Sequence, residues 1–234
     1  MNIKNPLYKN QGMHVLATIF TVYKGNIKVL LIRRDNKPYK DMWSLVGGAV
    51  YNNETLDEAM LREIREKTNI TDINIYKASI FDDIDRSPIF RMFCVSYIGI
   101  IDSKKISIEK LTEKTKDADW FSIDAVPHLA YDGNLVLTEN IKELQKKIIN
   151  SDILRNFYSK DFTMPELLKT YEIILNKKLD RRNFRKKLLN LVEEVNKEER
   201  FIGNKPAKLY RIKRNIKNKN VLWLKKEGLV CITK

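Results

Sequence analysis

The chain has 234 residues, a hydrophobic fraction of 43% and a charged fraction of 32%, which exclude wholesale disorder and allow one large domain or two modest ones. The longest apolar run is far shorter than the ~20 residues that span a bilayer, and residues 1–11 lack the apolar stretch of a signal peptide. Its two cysteines, Cys94 and Cys231, have no neighbours at zinc-ligand spacing and cannot form a disulfide framework. We therefore expect the protein to lie in the reducing cytoplasm. Its net charge is +14.

The first 150 residues alternate predicted strands with two predicted helices. Apolar and period-two runs predict strands over 14–23, 27–34, 73–81, 91–101 and 120–123. A short apolar segment interrupted by two glycines covers 43–50, and Lys24-Gly25-Asn26 indicates a hairpin between the first two strands. Helical spacing of apolar residues predicts helices over 55–68 and 135–149. This order indicates an α/β or α+β sandwich for residues 1–150.

The pattern changes at a domain boundary that we place at residues 150–160. Beyond it, helical spacing predicts helices over 165–175 and 181–195. Short apolar runs predict strands over 208–213 and 221–224, around turns rich in Lys and Asn. Two helices followed by a small hairpin indicate a helix-turn-helix with a wing in residues 151–234.

The positive charge is concentrated in this last third of the chain. Residues 1–150 carry 22 Lys and Arg against 20 Asp and Glu, whereas residues 151–234 carry 22 against 10. Compositional drift in a chain rich in Lys, Asn and Ile would spread the excess evenly. The asymmetry therefore favours a C-terminal surface that binds a polyanion.

One spaced pattern stands out in the first domain, GAVYNNETLDEAMLREIREKTNI over residues 48–70. It resembles the Nudix box, G-x5-E-x7-R-E-U-x-E-E-x-G-U, in which U is aliphatic. The resemblance implies a Nudix α/β/α sandwich and pyrophosphate hydrolysis, in which divalent cations neutralise phosphates and activate water. Carboxylates at i, i+3 and i+4 of one helix lie on one face and can gather hard cations.

The box departs from that pattern at two positions. Glu63 and Glu66 supply the i and i+3 carboxylates, but Lys67 stands at i+4, where the family has glutamate. An ammonium in place of a ligand adds positive charge to a site for Mg²⁺, which needs oxygen ligands. Asn69 replaces the family glycine, a mild change because asparagine tolerates the left-handed backbone of a helix end. We expect Arg62, Glu63 and Glu66 to be vestigial catalytic residues, with Glu63 and Glu66 the candidates for a weak metal site.

Two further segments resemble ADP-ribose-type Nudix enzymes and Nudix-related transcriptional regulators. Arg86 and Arg91 lie in a D-R-x-P-x-x-R stretch (85–91), and arginines there can hold a diphosphate through paired hydrogen bonds. PHLAYDGN (127–134) resembles the regulators' P-x-L-A-[FY]-D-H, with Gly133 where histidine is usual. The candidate effector-binding residues are Arg33, Gly48, Arg62, Phe81, Arg86 and Arg91.

The C-terminal domain resembles the winged helix of the same regulators. FTMPELLKTYEIILNKKLDRRNFRKKLL (162–189) matches F-T-x-x-x-L-x-x-x-Y-E followed by L-D-x-x-N-F-R-x-K, and KPAKLYRI (205–212) matches their wing. Asp180 caps the predicted second helix. The helix carries cations on one face and apolar Phe184 and Leu188 on the other, as a helix that reads the major groove requires. The candidate DNA-binding residues are Thr163, Arg181, Arg182, Asn183, Arg185, Lys186, Lys187, Lys205, Lys208 and Arg211.

Together these patterns predict a DNA-binding transcriptional regulator whose degenerate Nudix domain is a ligand sensor. The resemblance implies a homodimer that acts as a repressor, with ADP-ribose or a related sugar or nucleotide as its effector. The resemblance implies double-stranded operator DNA as partner, no required cofactor, no membrane, and a role in NAD or sugar metabolism. The alternative is a Mg²⁺-dependent hydrolase of ADP-ribose or a nucleoside-diphosphate derivative, and a third interpretation is an RNA-binding or assembly module. We expect His14 and His128 to be structural, because neither has a nucleophile or metal cluster beside it in the sequence.

Overall fold

The computed structural model describes residues 11–106, 118–150, 153–158, 161–202 and 205–213. They divide into two compact units. The described residues of the first unit fall within 1–20, 28–101 and 106–140, and those of the second within 21–27, 102–105 and 141–234. Within these residues, no helix is long and apolar enough to cross a membrane.

A mixed seven-stranded sheet organises the N-terminal part of the chain. Its strands are β1 (Gly12–Tyr23), β2 (Asn26–Arg33), β3 (Trp43–Ser44), β4 (Val46–Ala49), β5 (Asn74–Phe81), β6 (Met92–Ile100) and β7 (Ala118–Ser122). The strand order is β3-β2-β1-β6-β5, while β4 pairs with β1 and β7 with β2. β1 runs parallel to β6 and antiparallel to β4, so β1 lies between the Nudix-box loop and the strand that follows residue 91.

Helix α1 (Leu56–Thr68) carries the Nudix box and has well-defined ends. Thr55 and Glu58 form a reciprocal capping box at its N-terminus, which satisfies backbone N–H groups that the helix itself leaves unpaired. Asn69 ends the helix with a φ of 57°, the left-handed conformation expected at this position. Met60 and Ile64 are fully buried and anchor the helix in the core of the first unit. A second helix, α2 (Gly133–Asn150), begins in the first unit and continues past Ile141 into the second.

The second unit contains a helix-turn-helix and a three-stranded sheet, which confirms the predicted winged-helix class. The elements are β8 (Phe162–Thr163), α3 (Met164–Leu175), α4 (Arg181–Leu188), β9 (Val192–Ile202) and β10 (Lys205–Ile212). The sheet order is β8-β10-β9, with both pairings antiparallel. Tyr171 of α3 and Phe184 of α4 meet edge to face with ring centroids 5.2 Å apart, and this contact fixes the two helices against each other.

The predicted helix over 181–195 is wrong in its second half. Helix α4 ends at Leu188, a turn follows in which the Leu191 N–H donates to the Leu188 carbonyl, and β9 begins at Val192. Val192 and Val195 pair across β9 and β10, where β-branched side chains fit well. Cross-strand pairing thus overrides the local helical spacing. The wing is the β9–β10 hairpin; the strand predicted over 221–224 lies outside the described residues.

Replacing Phe184 by alanine should lower the free energy of unfolding of the winged helix by about 3–5 kcal/mol, because its ring is buried against Tyr171. Denaturant titration followed by circular dichroism measures the change. The control is Leu189→Ala, whose side chain is 44% exposed and whose loss should cost about 0.5 kcal/mol or less. Equal costs for the two variants would show that Phe184 does not anchor α4.

Candidate functional site

A cavity of about 160 Å³ lies in the first unit, between the Nudix-box loop, α1 and the start of α2. Among the lining residues that the structure describes, the charged side chains are three cations, Arg34, Lys67 and Arg86, and none is a carboxylate. The lining residues are His14, Leu16, Arg34, Ser44, Leu45, Gly47, Gly48, Lys67, Arg86, Met92, Ala130, Tyr131 and Gly133. A small pocket with this charge is suited to an anionic group such as a diphosphate.

The Lys67 ammonium lies at the centre of the degenerate box. It forms an ion pair of 2.8 Å with Glu63 Oε2 and donates a hydrogen bond to the Gly47 carbonyl oxygen. Gly48 permits this arrangement, because a Cβ there would lie 2.3–2.6 Å from the Glu63 carboxylate. The ammonium therefore occupies a position between two oxygen ligands, where a hard cation would otherwise be attracted.

Arg62 holds the remaining carboxylates of the box. Its guanidinium donates to both oxygens of Glu54 at 2.7 and 2.9 Å and to Glu63 Oε1 at 2.7 Å, and it lies 3.4 Å from Glu66. The hydrogen bonds from Arg62 lower the pKa of Glu54 to about 2, so this carboxylate is ionised at neutral pH.

Mg²⁺ does not fit this set of side chains. One oxygen of Glu63 faces Arg62 and the other faces Lys67, so a metal ion at this carboxylate would lie beside two positive charges. Glu66 is half exposed and also faces Arg62. In the part of the chain that the structure describes, no group of three or more His, Cys, Asp and Glu is arranged to hold a metal. The predicted metal ligands Glu63 and Glu66 thus form ion pairs within the protein.

Arg86 joins the two motifs that resemble the ADP-ribose-type segments. Its Nε and Nη2 donate to the two oxygens of Asp132 at 3.0 and 2.9 Å, and the Arg86 side chain is only 3% exposed. This paired geometry fixes the guanidinium plane in the pocket wall. Asp132 is a positioning residue that sequence reasoning missed, although it lies in the recognised PHLAYDGN segment. Gly133 follows it, and a side chain there would press on Leu129, 2.8 Å from the ideal Cβ position.

Arg34 lines the pocket, whereas the predicted Arg33 does not. Arg34 lies over the Tyr131 ring at 4.9 Å and donates to the Pro38 carbonyl, while Arg33 is exposed and donates to the Asp41 carbonyl. Consecutive residues at a strand end point to opposite sides. The sequence therefore offered two adjacent arginines without showing which one faces the pocket.

The six predicted effector-binding residues are not all brought together. Gly48 and Arg86 line the pocket, while Arg62 organises the neighbouring carboxylates. Phe81 is buried outside the pocket lining, and Arg91 donates to the Asp83 carbonyl and lies over the Phe93 ring. His14, expected to be structural, is instead a lining residue, and no local motif signals it because its partners come from distant parts of the chain.

Helix α4 presents the predicted cationic surface of the second unit. Asp180 caps it by accepting a hydrogen bond from the Asn183 N–H at 2.7 Å, while Phe184 and Leu188 are buried. Among the described residues, no hydrogen bond or ion pair engages the side chains of the exposed Arg181, Arg182, Arg185 and Lys186. We call these four the α4 cations. Asn183 is also exposed, and Lys187 is half-buried.

The wing cations differ from the α4 cations because they are paired with acids. Lys208 forms an ion pair of 2.7 Å with Glu194, and this hydrogen bond raises the pKa of Lys208, against the opposing charge of Arg185. Arg211 donates twice to Asp161 Oδ1, at 3.0 and 2.7 Å. The side chain of Lys205 lies outside the described residues.

Thr163 has a different role from the DNA contact predicted for it. Its side chain is fully buried and forms a capping box with Glu166 at the start of α3. Its hydroxyl therefore stabilises the helix end and is not exposed to a phosphate.

Replacing Lys67 by glutamate should create a site for Mn²⁺, because a carboxylate would then lie beside Glu63 and the Gly47 carbonyl. Isothermal titration with Mn²⁺ should detect binding to this variant and none to the native chain. The control is Lys67→Gln, which removes the ammonium without adding a carboxylate. Equal Mn²⁺ affinity in all three proteins would show that Lys67 does not exclude the metal.

Comparison with known proteins agrees with the two domain types. The family model described as NUDIX domain matches residues 13–141, and that described as NrtR DNA-binding winged helix domain matches residues 154–212. The chain is 28% identical over 210 residues to an ADPR responsive transcriptional repressor of Acinetobacter baylyi, covering 87% of this chain and 83% of that protein. It is also 28% identical over 130 residues to an ADP-ribose pyrophosphatase of Methanocaldococcus jannaschii, covering 56% of this chain and 75% of that protein.

The solved structure of Shewanella oneidensis NrtR complexed with a 27mer DNA has the same fold. Its TM-score is 0.76 at 25% sequence identity, over 89% of this chain and 95% of that chain. The Nudix match alone spans more than half of the sequence, and the winged-helix match follows it after 12 residues. The chain therefore belongs to the Nudix family and joins its Nudix domain to a C-terminal winged helix of the NrtR type.

Proposed function

We propose that this chain is a transcriptional repressor that binds operator DNA through its winged helix and senses ADP-ribose through its Nudix domain. The four α4 cations carry the DNA-binding part of the proposal. They are exposed and unpaired within the described residues, on a helix whose other side is buried. Arginine and asparagine at the start of such a helix can reach base edges, and the later cations can bind phosphates.

The pocket supports a role in sensing. Its three cations suit the diphosphate of ADP-ribose, and the relatives include an ADPR responsive repressor. Lys67 and Arg62 neutralise the carboxylates that a hydrolase would use to hold a metal. We therefore propose that ligand recognition needs no metal cofactor. Because ADP-ribose is a product of NAD breakdown, the response would belong to NAD metabolism.

The continuous backbone of helix α2 connects the pocket with the second unit. Its first residue, Gly133, lines the pocket, and the helix continues past Ile141 into the second unit. There, Gln145 Nε2 donates to the Ile174 carbonyl of α3 at 2.9 Å. A ligand that binds better to one position of residues 130–133 would shift the population of conformations of that segment. Helix α2 would then transmit the change to the winged helix.

The proposal assigns ligand sensing to residues 1–150 and DNA binding to residues 151–234. Each chain supplies one α4, so we propose that a homodimer binds a pseudo-palindromic operator with one half-site for each helix. Contact with chromosomal DNA would place the protein in the cytoplasm.

Replacing Arg182 and Arg185 together by alanine should weaken binding to the DNA upstream of the protein's own gene by at least about 30-fold, since each lost contact costs about 1–3 kcal/mol. Fluorescence anisotropy at fixed salt measures the affinity, and the affinity for ADP-ribose should not change. The matched control removes the same charge from exposed positions of the first unit, Lys40→Ala with Arg65→Ala. Equal losses in both double variants would mean that only net charge matters.

Adding ADP-ribose in the presence of EDTA should weaken operator binding of the native chain by about 5- to 150-fold, the usual range of coupling between two sites. The operator should weaken ADP-ribose binding by the same factor, because the coupling is reciprocal. Chromatography should detect no hydrolysis of ADP-ribose when Mg²⁺ is supplied. Mg²⁺-dependent turnover that Glu63→Gln abolishes would favour the hydrolase alternative.

A further inference from the structure

We propose that His14 is a ligand-contacting residue that takes up a proton when the anionic effector enters the pocket, so that effector binding is coupled to pH. The inference rests on the proposed function, because it concerns the same Nudix pocket. It adds a specific residue and a regulatory input, proton concentration, to that site.

His14 occupies the pocket from the middle of the sheet. It lies on β1, paired in register with Ala49 of β4 on one side and Cys94 of β6 on the other. Its side chain is half-buried and lines the cavity together with Arg34, Lys67 and Arg86. Among the described residues that line the pocket, it is the single group whose charge changes near neutral pH.

Charged groups act on the imidazole from three segments outside β1. Arg34 comes from the segment after β2, Glu63 and Lys67 from α1, and Arg86 from the loop before β6. Burial and the positive charge of Arg86 lower the pKa of His14, while Glu63 opposes the shift. Cys94 on β6 does not contribute charge, because burial raises the pKa of its thiol to about 12.

Arg86 is itself paired with Asp132. The imidazole is therefore neutral in the empty pocket at neutral pH, held so by burial and by an excess of cations around it. The diphosphate of ADP-ribose brings two negative charges to the same cations. That charge removes the repulsion that keeps His14 neutral and favours the imidazolium, which takes one proton from the solvent and donates a hydrogen bond to a phosphate oxygen.

The sign of the pH dependence follows from this exchange. A bound state with the higher pKa gains affinity as pH falls through that pKa, and the gain is complete below the pKa of the empty state. Because one proton is taken up, the dissociation constant should fall by at most about tenfold per pH unit in that window. The diphosphate diester itself does not titrate there, so ADP-ribose is a clean probe.

The experiment compares ADP-ribose binding by the native chain, His14→Gln and His128→Gln from about pH 8.5 to about pH 5.5, a range around the ordinary histidine pKa. Glutamine keeps a hydrogen-bonding side chain but cannot be protonated. His128 is the matched control, since it is the other histidine of the sequence, is exposed and does not line the pocket. Native chain and His128→Gln should bind more tightly as pH falls, whereas His14→Gln should bind with nearly constant affinity.

Calorimetry of the native chain in two buffers of different ionisation enthalpy gives an independent measurement, with uptake of up to one proton per ligand expected near neutral pH. This readout does not depend on the folding of any variant. A native affinity independent of pH, no proton uptake, or a pH dependence that survives in His14→Gln would each overturn the inference while leaving ADP-ribose as effector. Absence of ADP-ribose binding at every pH would overturn both the effector and the inference.

Discussion

In the Nudix domain, the Lys67 ammonium lies between the Glu63 carboxylate and the Gly47 carbonyl oxygen, and the character of the pocket depends on this ion pair. A carboxylate at the same position would leave a cluster of negative charge that requires a divalent cation. The ammonium supplies the positive charge from within the chain. Arg62 holds Glu63 from the other side, so both oxygens of this carboxylate face a cation of the chain, and the charged side chains that line the cavity are cations.

The two functional surfaces use cations in different ways. In the pocket, Arg86 is fixed by two hydrogen bonds to Asp132, so its position is set before a ligand arrives and little side-chain entropy is lost on binding. The four α4 cations are exposed and have no such partners among the described residues. Long-range attraction to a polyanion needs unneutralised charge, whereas recognition of one small anion needs fixed geometry.

Much of the fold follows from local signals. The Nudix-box helix and the left-handed Asn69 were both readable from residue types and spacing. The extent of α4 was not, because Val192 and Val195 fit both a helical and a strand pattern, and pairing with β10 decides between them. Likewise, local spacing cannot show that Thr163 is buried beneath a helix end instead of facing DNA.

The sequence by itself determined the two domain types, the loss of the third box carboxylate at Lys67, and the concentration of cations in the C-terminal third. Those features depend only on residue types and their spacing, so the amino-acid sequence shows them without a structure. Only the tertiary structure showed that His14, Arg34 and Arg86 line one cavity. His14 lies on β1, Arg34 follows β2, and Arg86 lies in the loop before β6. The pairing of β1 with both β4 and β6 places His14 beside the Nudix box and that loop.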